Sequence, residues 1–323
     1  MDFLLFPIDL LTDALRAIGI SPTTFQFMLV NAILGLSIYV TLYTGMFSLA
    51  NAGFMAIGAY SGVLITQNLD MPLFVGIIGG MLAAGIVAVP IGLPVLRLKD
   101  IYLAIATIGF GEVVRIFALN FDELASSIKG EDVQLFYGAQ GIKRIPKITE
   151  TWHLVLAIAL IGYFLVRINR SRFGRAMAAI RQDEEAAANM GIDVVRIKNI
   201  IFIISAMIAG LAGVMNAHLT RIITPGDFGF DRAVNILAFA VLGGTTTWVG
   251  PIVGGLVLGG LPEVLRVLRD FRQIVNGAVL LAVIIFLPGG LINPAGWAAA
   301  LRNVRGGDDE ALLIGGGKQN EAS

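Results

Sequence analysis

The sequence predicts an all-α, polytopic membrane protein, and three observations carry that reading. Of 323 residues, 56% are hydrophobic and only 14% are charged, with a mean hydropathy of +0.82. A soluble domain carries about a quarter charged residues. A chain this long could bury a large core, but it could not also cover its surface with so few charges. The apolar residues are gathered into about eight runs, most near the roughly 20 residues that cross hydrocarbon. The runs lack period-2 alternation and are rich in Ala and Gly. Lipid demands internally satisfied backbone, so they are helices. About 8 transmembrane helices are expected, up to 10 if segments are broken or re-entrant.

In chain order, residues 1–24 come first as an N-terminal interfacial segment. Asp9, Asp13 and Arg16 interrupt it and no basic n-region precedes it, so it reads as an amphipathic surface helix and not as a signal peptide. The transmembrane domain covers 25–292, with spans expected at 25–44, 46–66, 72–96, 101–120, 153–168, 197–218, 233–260 and 273–292. The run 46–66 follows Gly45 directly and is dense in small residues, which predicts a broken or re-entrant helix. The run 233–260 is too long for one span. Gly243-Gly244, three threonines and Gly250-Pro251 interrupt it, so two shorter helices with a break are expected. Such breaks are tolerated only inside protein or beside an aqueous cavity. The tail 293–323, polar and Gly-rich from Arg302, has too little apolar surface to fold alone.

Basic residues set the orientation. Arg167, Arg170, Arg172, Arg175, Arg181, Arg196 and Lys198 put the stretch 167–198 in the cytoplasm, and Arg97 and Lys99 put the turn after 72–96 there too. Residues 121–150 then fall outside. Arg266, Arg269 and Arg272 are cytoplasmic by charge, whereas a cytoplasmic C-terminus requires 233–268 to turn back as a hairpin. The sequence leaves both arrangements open.

Several function classes are excluded. Basic and acidic residues balance at 23 each, so no basic field exists to neutralise the phosphates of a nucleic acid. Cysteine is absent, which removes disulfides, thiol catalysis and Cys-ligated metals. The histidines, His153 and His218, lie far apart with no HExxH, and read as one interfacial and one packed residue; no metal site is expected. No G-x-S-x-G brackets a serine and no Walker A motif is present. If ATP drives this protein, another chain hydrolyses it.

The informative stretch is 173–198, long for a connection. Its composition favours helix from about Arg175 to Asn189, with Gly191 placed to end it. Ala186, Ala187 and Ala188 give a smooth surface that lets another protein's backbone come close, with Glu184 and Glu185 beside them. The segment suits either a solvated helical loop or insertion into a partner's cleft.

Glu185-Ala186-Ala187, three residues, then Gly191 has the spacing of the EAA motif of bacterial ABC importer permeases, without the Leu-Pro that follows in some of them. Ser48-Leu49-Ala50-Asn51-Ala52-Gly53-Phe54 with Ile57-Gly58-Ala59-Tyr60 is similar to the "SLGHAAF..IGAY" segment of branched-chain amino-acid permeases, with Asn51 in place of histidine. Arg97 to Thr107 with Phe110-Gly111-Glu112 resembles their "RLRGIYLAIVTLAFGE". Gly141-Ile142 and Ile145-Pro146 resemble an outer-loop motif whose leading Thr-Gly-Gly is missing here. Residues 202–213 and 241–251 complete the series, Thr246 replacing a usual glycine. Over about residues 40–292 the chain therefore resembles ABC transporter permeases of the branched-chain amino-acid (LivM/LivH) type.

The resemblance implies an inner-membrane subunit of a bacterial ABC importer for branched-chain amino acids. It implies a second homologous permease, two cytoplasmic ATP-binding subunits that hold ATP-Mg, and a periplasmic substrate-binding protein, with no cofactor on this chain and no enzymatic activity of its own. Glu184, Glu185, Ala186, Ala187 and Gly191 would then dock on the ATPase as a coupling helix. Related permeases carry urea, short amides or other amino acids, and an ion-coupled secondary transporter is the alternative from another class. Within the membrane, Glu112 and Arg115 stand three residues apart on one helix face and read either as a structural ion pair or as a gating or subunit contact. Asn51 either lines a pathway or bonds a neighbouring backbone group. Thr245, Thr246 and Thr247 either satisfy the broken backbone or face a cavity.

Overall fold

The computed structural model describes residues 21–130, 134–264, 277–278, 281, 285 and 290–292. The interfacial segment at 1–20, Arg266, Arg269, Arg272, most of the run 273–292 and the tail 293–323 lie outside the described residues. The helices are α1 (Pro22–Tyr43), α2 (Asn51–Asn68), α3 (Leu73–Val95), α4 (Asp100–Lys129), α5 (Thr151–Asn169), α6 (Arg172–Gln182), α7 (Glu184–Asn189), α8 (Val194–Thr220), α9 (Phe230–Gly243) and α10 (Val249–Val264). Two short strands, β1 (Ile142–Lys143) and β2 (Ile222–Ile223), pair antiparallel and tie the α4–α5 connection to the end of α8. The fold is all-α apart from this ribbon.

Among the described residues, α1, α3, α4, α5 and α8 are long and apolar enough to cross a membrane. They fall into two layers. In α1 and α8, 83% and 72% of the apolar window is buried, against 28%, 33% and 28% in α3, α4 and α5. The outer helices turn large side chains such as Phe74, Ile86, Ile101, Phe117 and Leu160 outward. An outside as apolar as the inside fits hydrocarbon as solvent, and the protein is a multi-pass membrane protein.

Without a hydrophobic drive between helices in lipid, packing rests on close van der Waals contact at small residues. The inner layer is built that way. A Cβ placed on Gly58 of α2 would lie 2.3 Å from the Gly210 Cα of α8, and one on Gly213 of α8 would lie 2.1 Å from the Met55 carbonyl oxygen of α2. A Cβ on Gly80 of α3 would come within 2.8 Å of the Gly58 carbonyl oxygen. Backbones of α2, α3 and α8 therefore touch.

This packing corrects the expectation for 46–66. The small residues there do not mark a broken helix, because α2 runs unbroken from Asn51 to Asn68. The irregular segment is 44–50, with Gly45 at φ +83° as the chain leaves α1. Glycine and alanine in α2 serve backbone contact within the bundle, where protein and not lipid surrounds the helix. One other boundary shifts. The helix expected over 101–120 continues to Lys129 and spans about 45 Å at 1.5 Å per residue. The extra turns hold the α4–α5 connection: Asp122 Oδ1 accepts from the Leu135 and Phe136 amides at 2.9 and 2.8 Å. At the start of α1 the Ser21 hydroxyl caps the helix by accepting from Thr24 N at 3.2 Å, with Pro22 in the first turn.

The break expected in 233–260 is present, between α9 and α10. Gly243 meets Gly250 and Gly254 meets Phe239, so the two helices are antiparallel. Gly35, Ala32 and Met28 of α1 meet Pro251, Gly255 and Gly259 in turn, so α10 also runs opposite to α1. Together α9 and α10 form a hairpin that turns back partway along the bundle. Its exposed backbone is satisfied by the chain itself: the Leu291 and Ile292 amides donate to the Leu242 and Gly243 carbonyls at 2.9 and 3.1 Å. Of the two arrangements left open by charge, the hairpin is the one adopted as far as Val264.

The glycine contacts lead to a prediction. Gly58→Ala forces backbone against backbone and is expected to cost about 3 kcal/mol or more. Gly109→Ala, with nothing within 4 Å of its added carbon, should be neutral or stabilising by up to about 1 kcal/mol. Thermal unfolding of the two variants in detergent, compared with the parent chain, distinguishes them.

Candidate functional site

The loop between α5 and α8 is a pair of helices set almost entirely by local signals. Ser171 caps α6 by accepting from the Phe173 and Gly174 amides. The single helix expected over Arg175 to Asn189 is instead two, divided at Asp183, which is extended at φ −156°, ψ 114°. Asp183 ends α6 and begins α7: its Oδ1 accepts from Glu185 N and Ala186 N, both at 2.9 Å. A side chain that competes so well for amides breaks an otherwise helical run. Gly191, at φ +81°, then lets the chain leave α7.

Of the residues expected to dock on an ATPase, Ala186 and Gly191 are exposed, but Ala187 is buried, 4% exposed, against Ile180 and Val194. Glu184 turns inward, its Oε2 2.5 Å from Lys198 Nζ on α8. Glu185 reaches the α3–α4 turn, its Oε1 3.3 Å from Lys99 Nζ. These carboxylates pair within the chain. The surface left free on α7 is Ala186, Ala188 and Asn189, continued by Met190 at 85% exposure. Arg181 of α6 lies over the Tyr43 ring, 5.9 Å from its centroid, at the end of α1. Between α7, the α3–α4 turn and the α1–α2 connection is an open polar groove of about 310 Å³, lined by Gly45, Lys99, Asp100 and Lys198 among others.

The two ion pairs differ in weight. Lys99 and Glu185 keep 61% and 84% of their side-chain surface exposed, and exposed pairs contribute about 0–1 kcal/mol. Lys198 keeps 9%, so removing Glu184 strands a buried ammonium, which costs more.

Of the candidates within the bundle, Asn51, Glu112, Arg115 and Thr246 bond within the chain. Asn51, 2% exposed, opens α2, and its Nδ2 donates to Ser37 Oγ of α1 at 2.8 Å and to Ser205 Oγ of α8 at 3.0 Å. Ser205 Oγ in turn donates to the Ser37 carbonyl at 2.7 Å. Asn51 thus joins three helices through side chains. Glu112 and Arg115 form the ion pair read from their spacing, Nε to Oε2 2.7 Å, at about one-third exposure each. The second carboxylate oxygen of Glu112 accepts from Phe230 N at 3.1 Å and caps the start of α9. Thr245 and Thr246 sit at the tip of the hairpin. Thr246 is exposed, with its hydroxyl 3.4 Å from the Ile292 carbonyl oxygen, and Thr245 is half-buried.

The histidines are structural. His153 closes a capping box at the start of α5, its Nδ1 accepting from Glu150 N at 3.2 Å. His218 is fully buried. Its Nδ1 lies 2.9 Å from the Pro146 carbonyl and its Nε2 3.1 Å from the Thr66 hydroxyl. A carbonyl only accepts, so Nδ1 carries a proton and donates it to Pro146. Among the described residues no three His, Asp or Glu side chains gather as metal ligands.

The described residues form a helical bundle with a short, small-residue helix exposed at one end. Residues 20–288 match the model of the branched-chain amino acid transport system / permease component family. The chain belongs to that family. It is 31% identical over 283 residues to the high-affinity branched-chain amino acid transport system permease protein LivM of Escherichia coli, covering 80% of this chain and 66% of that one. The chain thus spans just under two thirds of that relative's length. It is 28% identical to the L-arabinose ABC transporter permease protein AraH of Azospirillum brasilense, covering 83% of this chain and 80% of the relative. It is 27% identical to the permease protein LivH of Escherichia coli, covering 77% and 86%. No solved structure matches.

Four residues of this permease chain escaped the sequence reading: Ser37 and Ser205 as partners of Asn51, Met190 as the projecting end of α7, and Lys198 as the partner of Glu184. Lys198 carried a signal, since a lysine leading straight into the apolar run of α8 needs a partner when it is buried. The serines carried none, because their meeting depends on how three helices pack. Asn51→Ala removes both of its donated bonds and should destabilise the bundle by about 1–3 kcal/mol without changing which substrate is taken up. Thermal unfolding measures the first effect, and competition between labelled and unlabelled substrates measures the second.

Proposed function

We propose that this chain is one permease subunit of a bacterial inner-membrane ABC importer that moves branched-chain amino acids. ATP is bound and hydrolysed, with Mg, on two cytoplasmic partner subunits. A second, homologous permease completes the membrane pathway, and a periplasmic binding protein delivers the substrate. The chain contributes no enzymatic step.

The observation that carries this reading is the family match over residues 20–288, which runs through the α6–α7 unit with its exposed Ala186 and Ala188. Small exposed side chains let another chain approach the backbone closely. The ties from this unit to α1, the α3–α4 turn and α8 suit a part that transmits a push from outside the membrane. Two packings of the bundle, exchanged as rigid bodies, would open the path to one side or the other. The α9–α10 hairpin, with helix ends inside the bundle, is the kind of element that moves in such exchanges.

A second substrate class has a specific observation in its favour. The AraH relative, named for L-arabinose, matches over a similar share of the chain, so a small polar solute such as a sugar is the alternative to an amino acid. Urea, short amides and other amino acids belong to the same alternative. The test is uptake by vesicles holding this chain, a partner permease, the ATPases and a binding protein, with labelled leucine, arabinose and urea compared. ATP-dependent uptake of leucine alone supports the amino-acid reading, and uptake of arabinose alone replaces it. Uptake by this chain without ATPases, driven by an ion gradient, overturns the ABC reading.

Docking gives a sharper prediction. Ala188→Trp fills the exposed face of α7 and should abolish co-purification of the ATPases while the chain still inserts and unfolds normally. Ala187→Trp should instead lower stability by about 1–3 kcal/mol, because that side chain is packed inside.

A further inference from the structure

We propose that Lys198 is a positioning residue that carries the movement of the α6–α7 unit into the membrane bundle. The inference rests on the docking reading above and goes beyond it, since it concerns a contact within this chain and not the face offered to a partner.

The α6–α7 unit has to be joined to the bundle firmly if a push on it is to move a helix. Its joints are of three kinds. Arg181 lies over the Tyr43 ring at 5.9 Å, and Glu185 meets Lys99 in the open, so both are loose. Ile180 and Ala187 pack on Val194, which is apolar and non-directional and lets surfaces slide. The Glu184–Lys198 contact is different. It is short, it is charged, and its lysine is 7% exposed. Glu184 keeps 36% of its side-chain surface, but pulling the pair apart leaves the buried ammonium without this partner.

The far end of this joint is equally specific. Lys198 sits on the second turn of α8, which packs against α1, α2 and α3. Its neighbour Asn199 lies against α3, where a Cβ on Gly92 would meet the Asn199 Oδ1 at 2.4 Å. A displacement of Glu184 therefore passes to the base of α8, and from there to the helices that touch α8 backbone to backbone. Glu184 belongs to this inward joint, and the outward docking surface is Ala186, Ala188 and Met190.

The test uses the whole complex: this chain, its partner permease, the ATPases and the binding protein in vesicles, with labelled leucine as probe. Two readouts are taken, ATPase subunits recovered with the chain and ATP hydrolysed per leucine imported. Lys198→Met should leave recovery within about twofold while ATP spent per leucine rises roughly tenfold. Lys198→Arg should restore most of the ratio. So should the exchange Lys198→Glu with Glu184→Lys, a result that a purely local packing role would not produce. Lys198→Gln, which keeps an N–H donor for the carboxylate, serves if the Met variant does not assemble, and an intermediate ratio is expected from it. A normal ratio in Met and Gln variants overturns the proposal. Loss of ATPase recovery in both also overturns it, because the pair would then shape the docking face instead of transmitting movement. If the parent chain recovers no ATPase at all, the docking reading itself fails.

Discussion

The structure depends on backbone contact along one side of α8. Gly210 and Gly213 bring this helix against α2, and Gly80 brings α3 into the same seam. In water such helices would be driven together by burial of apolar surface. In lipid they are not, because the tails are as apolar as the side chains. What remains is dispersion at short range, and only residues without a side chain permit the range. A methyl group at any of these positions would separate the helices, and the polar contacts made across them would separate with it.

Those polar contacts come second and fix what the glycines allow. Asn51 reaches Ser37 and Ser205 only because α1, α2 and α8 approach closely enough. His218 bridges Thr66 of α2 and the Pro146 carbonyl of the α4–α5 connection under the same condition. Glu112 pairs with Arg115 and also holds the start of α9. In hydrocarbon an unpaired polar group is expensive, so each such bond sets a register that cannot slip without loss. The candidate pathway residues Asn51, Glu112 and Arg115 are thus committed within the chain.

Much of this was legible in the sequence. Most described spans lie within a few residues of the apolar runs, because burial in lipid writes itself as continuous hydrophobicity. The break after Gly243 was marked by glycine, threonine and proline, whose local chemistry ends helices wherever they stand. The turn at Gly191 was equally local. The misreading of 46–66 has a physical cause. Glycine weakens an isolated helix, yet both glycine and alanine allow backbone contact when they face another helix. Sequence shows the residue and not the neighbour. Asp183 dividing α6 from α7 was missed for a related reason: propensity summed over a window hides one side chain that outcompetes the helix for its own amides.

By itself the sequence determined that this protein lives in lipid, where most of its long apolar helices run, where the helical loop lies and which family it resembles. Hydropathy, capping and spacing are properties of neighbours along the chain. The tertiary structure alone decided partnership: that Glu184 turns inward to Lys198, that Asn51 binds two serines, and that α9 and α10 fold back on each other. Each of these joins residues distant in sequence, and each is set by which helix faces meet. That choice is made by close packing of the whole bundle, and no local pattern encodes it.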